Sequence, residues 1–507
     1  MAFAKGADSE KGAEAVSCHD GFESNIVAAH RQAVFLGYPF EKSLFAEDNR
    51  DTMSIRLTPD IIQKFDVPGP RYTSYPTAPQ WTSDFDAKAY ERVLQKGSQS
   101  LSLYVHVPFC VSMCYYCGCT VTIRKDKASV GDQFLDYLEK EVAMVAKALG
   151  TRRPVRQFHI GGGTPNFLTA VQLTRLVGIM RAAFDFESGL EQAIEIDPRT
   201  VTPDIPEVLA ALGFNRISMG IQDFDPDVQT AINRIQPYDM VATLFEALRA
   251  AGISSINADL IYGLPRQHTV QFAKTIDQIL QLRPDRIALY SYAHVPWLKS
   301  HQRLIKPEDM PDPAAKMGLF LTASQALSSG GYQAIAMDHF ALDTDDMAKA
   351  YREGRLYRNF MGYTLKPADD YIGFGPSAIG HMQGHYAQNF KEIKAYYEAL
   401  DQQVFPIERG LAMSADDRIR QWVIQALMCQ FRVDKVEFEA LFGVSCDTYF
   451  ADLTVHLAYC TQAGLLLISD EAWGVTAFGR FFVRNICMGF DAYFKSAQSE
   501  NRFSRTI

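Results

Sequence analysis

The chain has 507 residues, 47% hydrophobic and 21% charged, ordinary usage for a globular protein that excludes a wholly disordered, collagen-like or coiled-coil chain. Lys+Arg 50 against Asp+Glu 59 leaves a net charge of −9, so there is no global basic field for nucleic acid or an anionic membrane. No uninterrupted apolar stretch reaches the ~18 residues of a membrane span. The opening MAFAKGADSEKGAEAV lacks the apolar core of a secretory signal. The expectation is a soluble, cytoplasmic protein.

Residues 1–52 carry little patterning and read as an N-terminal extension. Residues 53–100 form an arm: Ile61, Ile62 and Phe65 give helical spacing, turn chemistry follows, and a short helix is expected over 86–97. From residue 101 the pattern alternates. Apolar runs at 102–107, 157–160, 193–196, 216–221, 256–261 and 286–291 predict buried parallel strands. Helix-length amphipathic segments lie near 128–149, 170–184, 204–212, 226–233, 238–251 and 270–281. Six βα units with right-handed crossovers imply a doubly wound sheet or a full or partial barrel. Either places chemistry at the C-terminal strand ends. Cys110, Gly161–Thr164, Glu195, Gln222 and Asp259 sit there, and one rim gathering all of them favours an α/β, partial (β/α)6 TIM-like barrel over 101–310. A loop-rich continuation covering the site is expected over 311–400, with a helix at 314–330. A mainly helical domain is expected over 401–507, with a helical region opening at 414–429. Within it GLLLISDEAWGVTAFGRFFVRNI reads as strand, turn, strand, helix, the pattern of a winged helix. It lacks a basic recognition helix, which favours a structural role over DNA binding.

Four of the nine cysteines, Cys110, Cys114, Cys117 and Cys119, share one loop after the first strand. Cys18, Cys429, Cys446, Cys460 and Cys487 are scattered, mostly among apolar neighbours, as small buried hydrophobes are. An odd total with one tight cluster argues for metal chemistry in a reducing compartment. Cys-x3-Cys-x2-Cys can hold three irons of a [4Fe–4S] cube and leave the fourth open. Zinc and accident are the alternatives; zinc sites usually pair separated Cys-x2–4-Cys knuckles. Gly161-Gly162-Gly163-Thr164-Pro165 follows a strand but fits neither phosphate-loop motif; it permits close backbone approach to a ligand, or is simply a tight turn. Glu195, Gln222, Arg234 and Asp259 are polar residues on or beside apolar strands, which is costly unless each has a partner.

At the cysteine loop, YVHVPFCVSMCYYCGCT, the chain resembles the radical S-adenosylmethionine superfamily. More narrowly it is similar to the oxygen-independent coproporphyrinogen III oxidases, from about Pro68 to Ile507. The resemblance rests on PGPRYTSYPTA at 68–78, the Cys117-x-Cys119 extension, GGGTP at 161–165, EIDP at 195–198, SMGIQDF at 218–224, DLIYGLP at 259–265, YAH at 292–294 and the final FSRTI. It implies that Cys110, Cys114 and Cys117 ligate the cluster, while S-adenosylmethionine chelates the open iron. It also implies reductive cleavage to a 5′-deoxyadenosyl radical and oxidative decarboxylation of two substrate propionates to vinyls in anaerobic heme synthesis. Implied cofactor contacts are Tyr104, Tyr116, Gly162, Gly163, Thr164, Glu195, Gln222, Arg234, Asp259, Ala293 and Ile379. Arg234 suits the cofactor's carboxylate, Glu195 its ammonium, and Gln222 or Asp259 its ribose. Cys119 is expected outside the cluster's ligands, serving turnover.

One departure is plain. The family can hold a second S-adenosylmethionine near Asn-Phe-Gln-Gly-Tyr, and this chain reads Asn359-Phe360-Met361-Gly362-Tyr363, where a thioether cannot make the amide's hydrogen bonds. Arg71 and Arg505 are candidates for the substrate's carboxylates. The implied partners are coproporphyrinogen III and an electron donor such as a flavodoxin or ferredoxin, with a monomeric protein and neither nucleic acid nor membrane. A heme chaperone and a heme-opening methyltransferase of the same superfamily are the alternative functions. Outside the class stands a zinc-bearing DNA-binding protein, disfavoured by the charge.

Overall fold

The computed structural model describes residues 57–97, 99–365, 368, 370–494 and 503–506; the extension at 1–52 and Cys18 lie outside them. The first strand, β1 (Leu101–Val107), leads into the cysteine loop, bracketed by the two-residue strands β2 (Phe109–Cys110) and β3 (Thr122–Ile123). Then come β4 (Pro154–Gly162), β5 (Asp185–Ile196), β6 (Arg216–Gln222), β7 (Ser255–Tyr262) and β8 (Arg286–Ser291). They lie side by side as β1-β4-β5-β6-β7-β8, all parallel. Chain order is spatial order. A doubly wound sheet reverses direction partway; this one does not, and it remains open at both edges, which makes it a partial barrel.

Helices Lys127–Leu149, Ala170–Ala183, Ile205–Ala211, Pro226–Ala231, Tyr238–Ala250 and Thr269–Leu282 fall between the strands. Their starts are written locally: Asp126 caps the first through Ser129 N, and Thr169 with Gln172 forms a reciprocal capping box on the second. Leu103, Val105, Phe158, Ile160, Ile194, Ile217, Met219, Ile256, Leu260, Ile287 and Leu289 are fully buried in the core that joins strands and helices. The alternate strand residues turn the other way, and they are where the polar side chains sit.

The stretch 331–389 departs from expectation. It holds β9 (Tyr332–Ile335), β10 (His339–Leu342), the hairpin of β11 (Tyr357–Asn359) and β12 (Gly362–Thr364), and then β13 (Asp370–Phe374), β14 (Ile379–Met382) and β15 (His385–Asn389). The β11–β12 hairpin stands apart; the others, with β16 (Ile407–Ala412), widen the sheet to twelve strands, β10 and β9 extending one edge while β13 joins β1 in parallel and carries β14, β15 and β16 beyond it. Glu141, on helix Lys127–Leu149, ties this extension down: its carboxylate accepts from Gly375 N (2.8 Å), Asn389 Nδ2 (2.6 Å) and Tyr396 OH (2.6 Å).

The C-terminal part begins with helix Ala415–Gln430 and includes β17 (Arg432–Asp434), β18 (Leu466–Ile468) and β19 (Ala472–Val475), paired β17-β19-β18, before helix Val483–Phe490. Cys429, Cys446, Cys460 and Cys487 are buried there as hydrophobes. The arm returns to this part. Gly69 N donates to Ser504 O, Thr506 N to Val67 O, and Arg484 Nε to Pro70 O (2.9 Å). From that anchorage Arg71 reaches the end of β8, donating to Ser291 O at 2.7 Å.

Candidate active site

A cavity of about 470 Å³ opens at the C-terminal ends of the parallel strands. Its wall is built by the two-residue period of a strand: Gln157 and His159 from β4, Glu191, Ala193 and Glu195 from β5, Arg216, Ser218 and Gly220 from β6, Asn257, Asp259 and Ile261 from β7, and Tyr290 from β8. Cys110, Cys114, Cys117 and Cys119 close it from the loop after β1.

Each cysteine has a distinct setting. Cys110 Sγ lies 3.2 Å from Thr164 Oγ1, and burial pushes its thiol up to about 11. Cys114 Sγ accepts from Arg199 Nη2 (3.3 Å) and Arg234 Nη1 (3.6 Å). Cys117 is drawn down to about 6, chiefly by a hydrogen bond from the Cys119 thiol; the Cys119 N–H, 3.4 Å from its sulfur, adds to this. Cys119 itself is pushed well up by the same pairing and is the exposed member of the loop. Guanidinium, hydroxyl and N–H groups beside sulfur favour thiolates. Three thiols on one loop, each beside a hydroxyl, guanidinium or N–H group, are the donor set that a [4Fe–4S] cube takes at three of its corners.

The glycine strip lets three elements meet beside them. A Cβ on Gly161 would lie 2.8 Å from the Glu195 carboxyl, one on Gly163 2.8 Å from Phe109 O, and Gly162 has φ +118°. Gly163 N donates to Val107 O (2.8 Å) and Gly162 N to Glu195 Oε2 (3.2 Å). Glu195 also faces His159 Nε2 at 3.2 Å. Asp259 accepts from Ser218 Oγ (3.0 Å) and Asn257 Nδ2 (2.7 Å); burial first, then repulsion from Glu195, pushes it up to about 7. Arg234 is held by Gly220 O (2.6 Å) and by Asp197 (3.2 Å), which also binds Arg199. Gln222 closes β6 at φ +71°, a strained conformation for a residue with a Cβ. Gln222 Oε1, Arg234 Nε and Asn257 Oδ1 are buried with no partner among the described residues. Such atoms are costly unless a ligand pairs them. S-adenosylmethionine, with its ammonium, carboxylate and ribose hydroxyls, is a ligand of that chemistry.

Of the residues expected to bind the cofactor, Tyr116, Gly162, Gly163, Thr164, Glu195, Gln222, Arg234, Asp259 and Ala293 line the cavity. Tyr104 and Ile379 do not. Tyr104 stands behind the wall, its hydroxyl on His106 Nδ1 (3.0 Å) and its ring stacked on His159. Ile379, on β14, packs against the cluster of Trp81, Tyr371, Tyr386 and Met413. Met361 lines the cavity, its N–H bound to Asn359 Oδ1. Arg71 lines it as well, while Arg505 is turned away and pairs with Asp66. The sequence reading did not single out His159, Asp197, Arg199, Ser218 and Asn257. The two-residue register of β4, β6 and β7 would have found three of them.

The Radical SAM superfamily model matches residues 104–279, and the HemN C-terminal domain model matches residues 413–482. The oxygen-independent coproporphyrinogen III oxidase of Escherichia coli is 43% identical over 450 residues, covering 88% of this chain and 98% of the relative. The Synechocystis protein of the same name is 42% identical over 461 residues, covering 90% and 99%. The solved structure of coproporphyrinogen III oxidase (HemN) from Escherichia coli, described as a radical SAM enzyme, superimposes with a TM-score of 0.81 at 42% identity, over 84% of this chain and 98% of that one. The parallel barrel, the cavity at its rim and this near full-length match make the chain a member of the oxygen-independent coproporphyrinogen III oxidase family of radical S-adenosylmethionine enzymes.

Proposed function

We propose that the chain converts coproporphyrinogen III to protoporphyrinogen IX without oxygen, turning two propionates into vinyls. The observation that carries this is the single cavity in which the cysteine loop, the glycine strip and the polar strand faces meet. Cys110, Cys114 and Cys117 would hold the [4Fe–4S] cluster, and Glu195, Gln222, Arg234 and Asp259, with the backbone of Gly162–Thr164, would hold S-adenosylmethionine. When bound, the two would supply the radical chemistry for taking a hydrogen from a propionate β-carbon.

The chain's own groups bind, orient and exclude. Arg199 and Arg234 donate to the Cys114 sulfur and orient it. Glu195 stays ionised although burial opposes it, because His159 and the Gly162 N–H hold it low, so it can receive an ammonium. The apolar Ile261, Ala193 and Val121 keep part of the wall free of competing groups. Arg71 is the cation placed for a propionate carboxylate, and its bond to Ser291 O fixes the guanidinium without neutralising it. Met361 replaces an amide by a thioether in the wall, which weakens any second S-adenosylmethionine site. We read the protein as a cytoplasmic monomer served by a flavodoxin- or ferredoxin-type donor; no helix of the described residues is long and apolar enough to cross a membrane.

Anaerobic reconstitution with iron and sulfide, followed by mass spectrometry of the porphyrinogen after turnover, tests the reading. Loss of two CO2 and four hydrogens in all from coproporphyrinogen III is expected. Stable heme binding without decarboxylation would support the chaperone alternative instead.

A further inference from the structure

Residues 293–306, after β8, lie against the cysteine loop. His301 Nε2 meets the Cys117 carbonyl at 2.7 Å, Gln302 Nε2 donates to Tyr116 O at 2.9 Å, and Lys299 Nζ donates to Cys119 O at 3.0 Å. Gln302 is buried and also accepts from Val295 N at 2.6 Å, which fixes the inner side of the segment. The outer side gathers exposed apolar side chains within eight residues. Trp297, Leu298 and Leu304 are 44%, 59% and 61% exposed. Ile235 is 57% exposed and follows Asn233, whose amide donates to Met113 O in the same cysteine loop. The segment carries Lys299, Arg303 and Lys306 and no acidic residue, in a chain with net charge −9.

We propose that Trp297, Leu298, Leu304, Arg303 and Lys306 form the docking surface for an acidic one-electron carrier protein, which delivers its electron through this segment to the cysteine-bound cluster. The inference rests on the radical reading above, which needs one electron for each cofactor cleavage. In that step the reduced carrier loses one electron and the cluster gains it; no bond forms or breaks and no proton moves. Three hydrogen bonds to the carbonyls of residues 116, 117 and 119 give a short covalent and hydrogen-bonded route from the outer face to a cluster ligand. Charge complementarity selects the occupant. A carrier with negative charge around its redox centre meets a chain of net charge −9 and is drawn to this basic, apolar segment beside the cysteines. A small, transient interface suits electron transfer.

The test uses reconstituted holoenzyme and a flavodoxin of net negative charge under anaerobic conditions. Affinity is measured by titration calorimetry at low and high salt, and cluster reduction by stopped-flow absorbance. Trp297→Ser, Leu304→Ser and Lys306→Glu should each weaken flavodoxin binding and slow flavodoxin-driven cluster reduction about tenfold, with Lys306→Arg near wild type. Reduction by dithionite should stay within twofold of wild type. Unchanged flavodoxin affinity in all three variants overturns the proposal, and so does an equal loss with dithionite, which would mean a distorted cysteine loop. Loss of self-association or of anionic-vesicle binding, with flavodoxin affinity intact, assigns the face to those occupants and also overturns it. Failure of dithionite-driven turnover in the wild type would count against the proposed reaction and leave the docking measurements standing.

Discussion

Cys119 and Cys117 form an unequal pair: one thiol donates its hydrogen bond, and the other sulfur, receiving it, is drawn down to about 6. A donor of that kind supports a cluster ligand without being one. Cys119→Ser keeps a hydroxyl donor, so it should retain the cluster and bind S-adenosylmethionine, while loss of the thiol expected to serve turnover should leave coproporphyrinogen III poorly converted. Cys110→Ala, Cys114→Ala and Cys117→Ala should each abolish the cluster's visible absorbance. Iron retained in all three, or a cluster lost in Cys119→Ser but normal in Cys117→Ser, would reverse the assignment. Arg71 belongs to a different part of the task. Its truncation to Ala should raise KM for the porphyrinogen about tenfold, ~1.4 kcal/mol, with S-adenosylmethionine affinity unchanged. Arg71→Lys should recover part of the loss; a fall in kcat alone would exclude a carboxylate anchor.

Strands and helices set where those residues stand, and two of their junctions can be tested. Gly162→Ala forces a side chain onto φ +118° and into His106, so it should lower stability by ~1–3 kcal/mol and weaken S-adenosylmethionine binding in calorimetry. Glu141, buried at the junction of its helix with β13 and β15, is pushed up to about 7 from an ordinary 4.5, with burial outweighing three hydrogen bonds. Because the folded value is raised, its stabilising contribution is complete below pH 4.5 and is lost as pH rises through about 7, on the order of 3 kcal/mol. Urea unfolding of the apoprotein at pH 5 and pH 8 should show that slope. Glu141→Gln should flatten it while lowering stability at both pH values, and an unchanged slope would place the titration elsewhere. The six parallel strands were legible because each carries closely spaced apolar residues, such as Phe158 and Ile160 in β4 and Ile256, Leu260 and Ile261 in β7. The first half of β5, DFESGLEQ, was not. It is polar and largely exposed, and its pairing jumps from Val155↔Phe186 to Gln157↔Glu191. The strands from β9 to β15 were missed for a related reason: IGHM and HYAQN hold their places by the sheet beside them, without an apolar run of their own. Asp197 was legible only inside EIDP and Arg199 in no motif at all, because what makes them notable is contact with Cys114 and Arg234, separated from them in sequence.

At the scale of the whole molecule, 450 residues of this chain match 98% of the Escherichia coli relative. A protein lacking residues 1–52 is therefore expected to keep its turnover, and a loss beyond about tenfold would show that the segment takes part. The arm and tail are another matter. Val67 N donates to Thr506 Oγ1 across a separation of 439 residues, and Arg71, four positions on from Val67, completes the cavity wall. On the ribosome, the parallel strands can pair long before the arm's partners Gln421, Arg484, Asp491 and residues 504–506 emerge. Closing so long a loop comes late in folding. A chain stopped short of those partners has its parallel strands but lacks the anchorage that sets Arg71 against the end of β8. Arg71 therefore takes its place in the cavity wall only after Arg484 and residues 504–506 are made, so early-made residues of the arm are held by late-made ones.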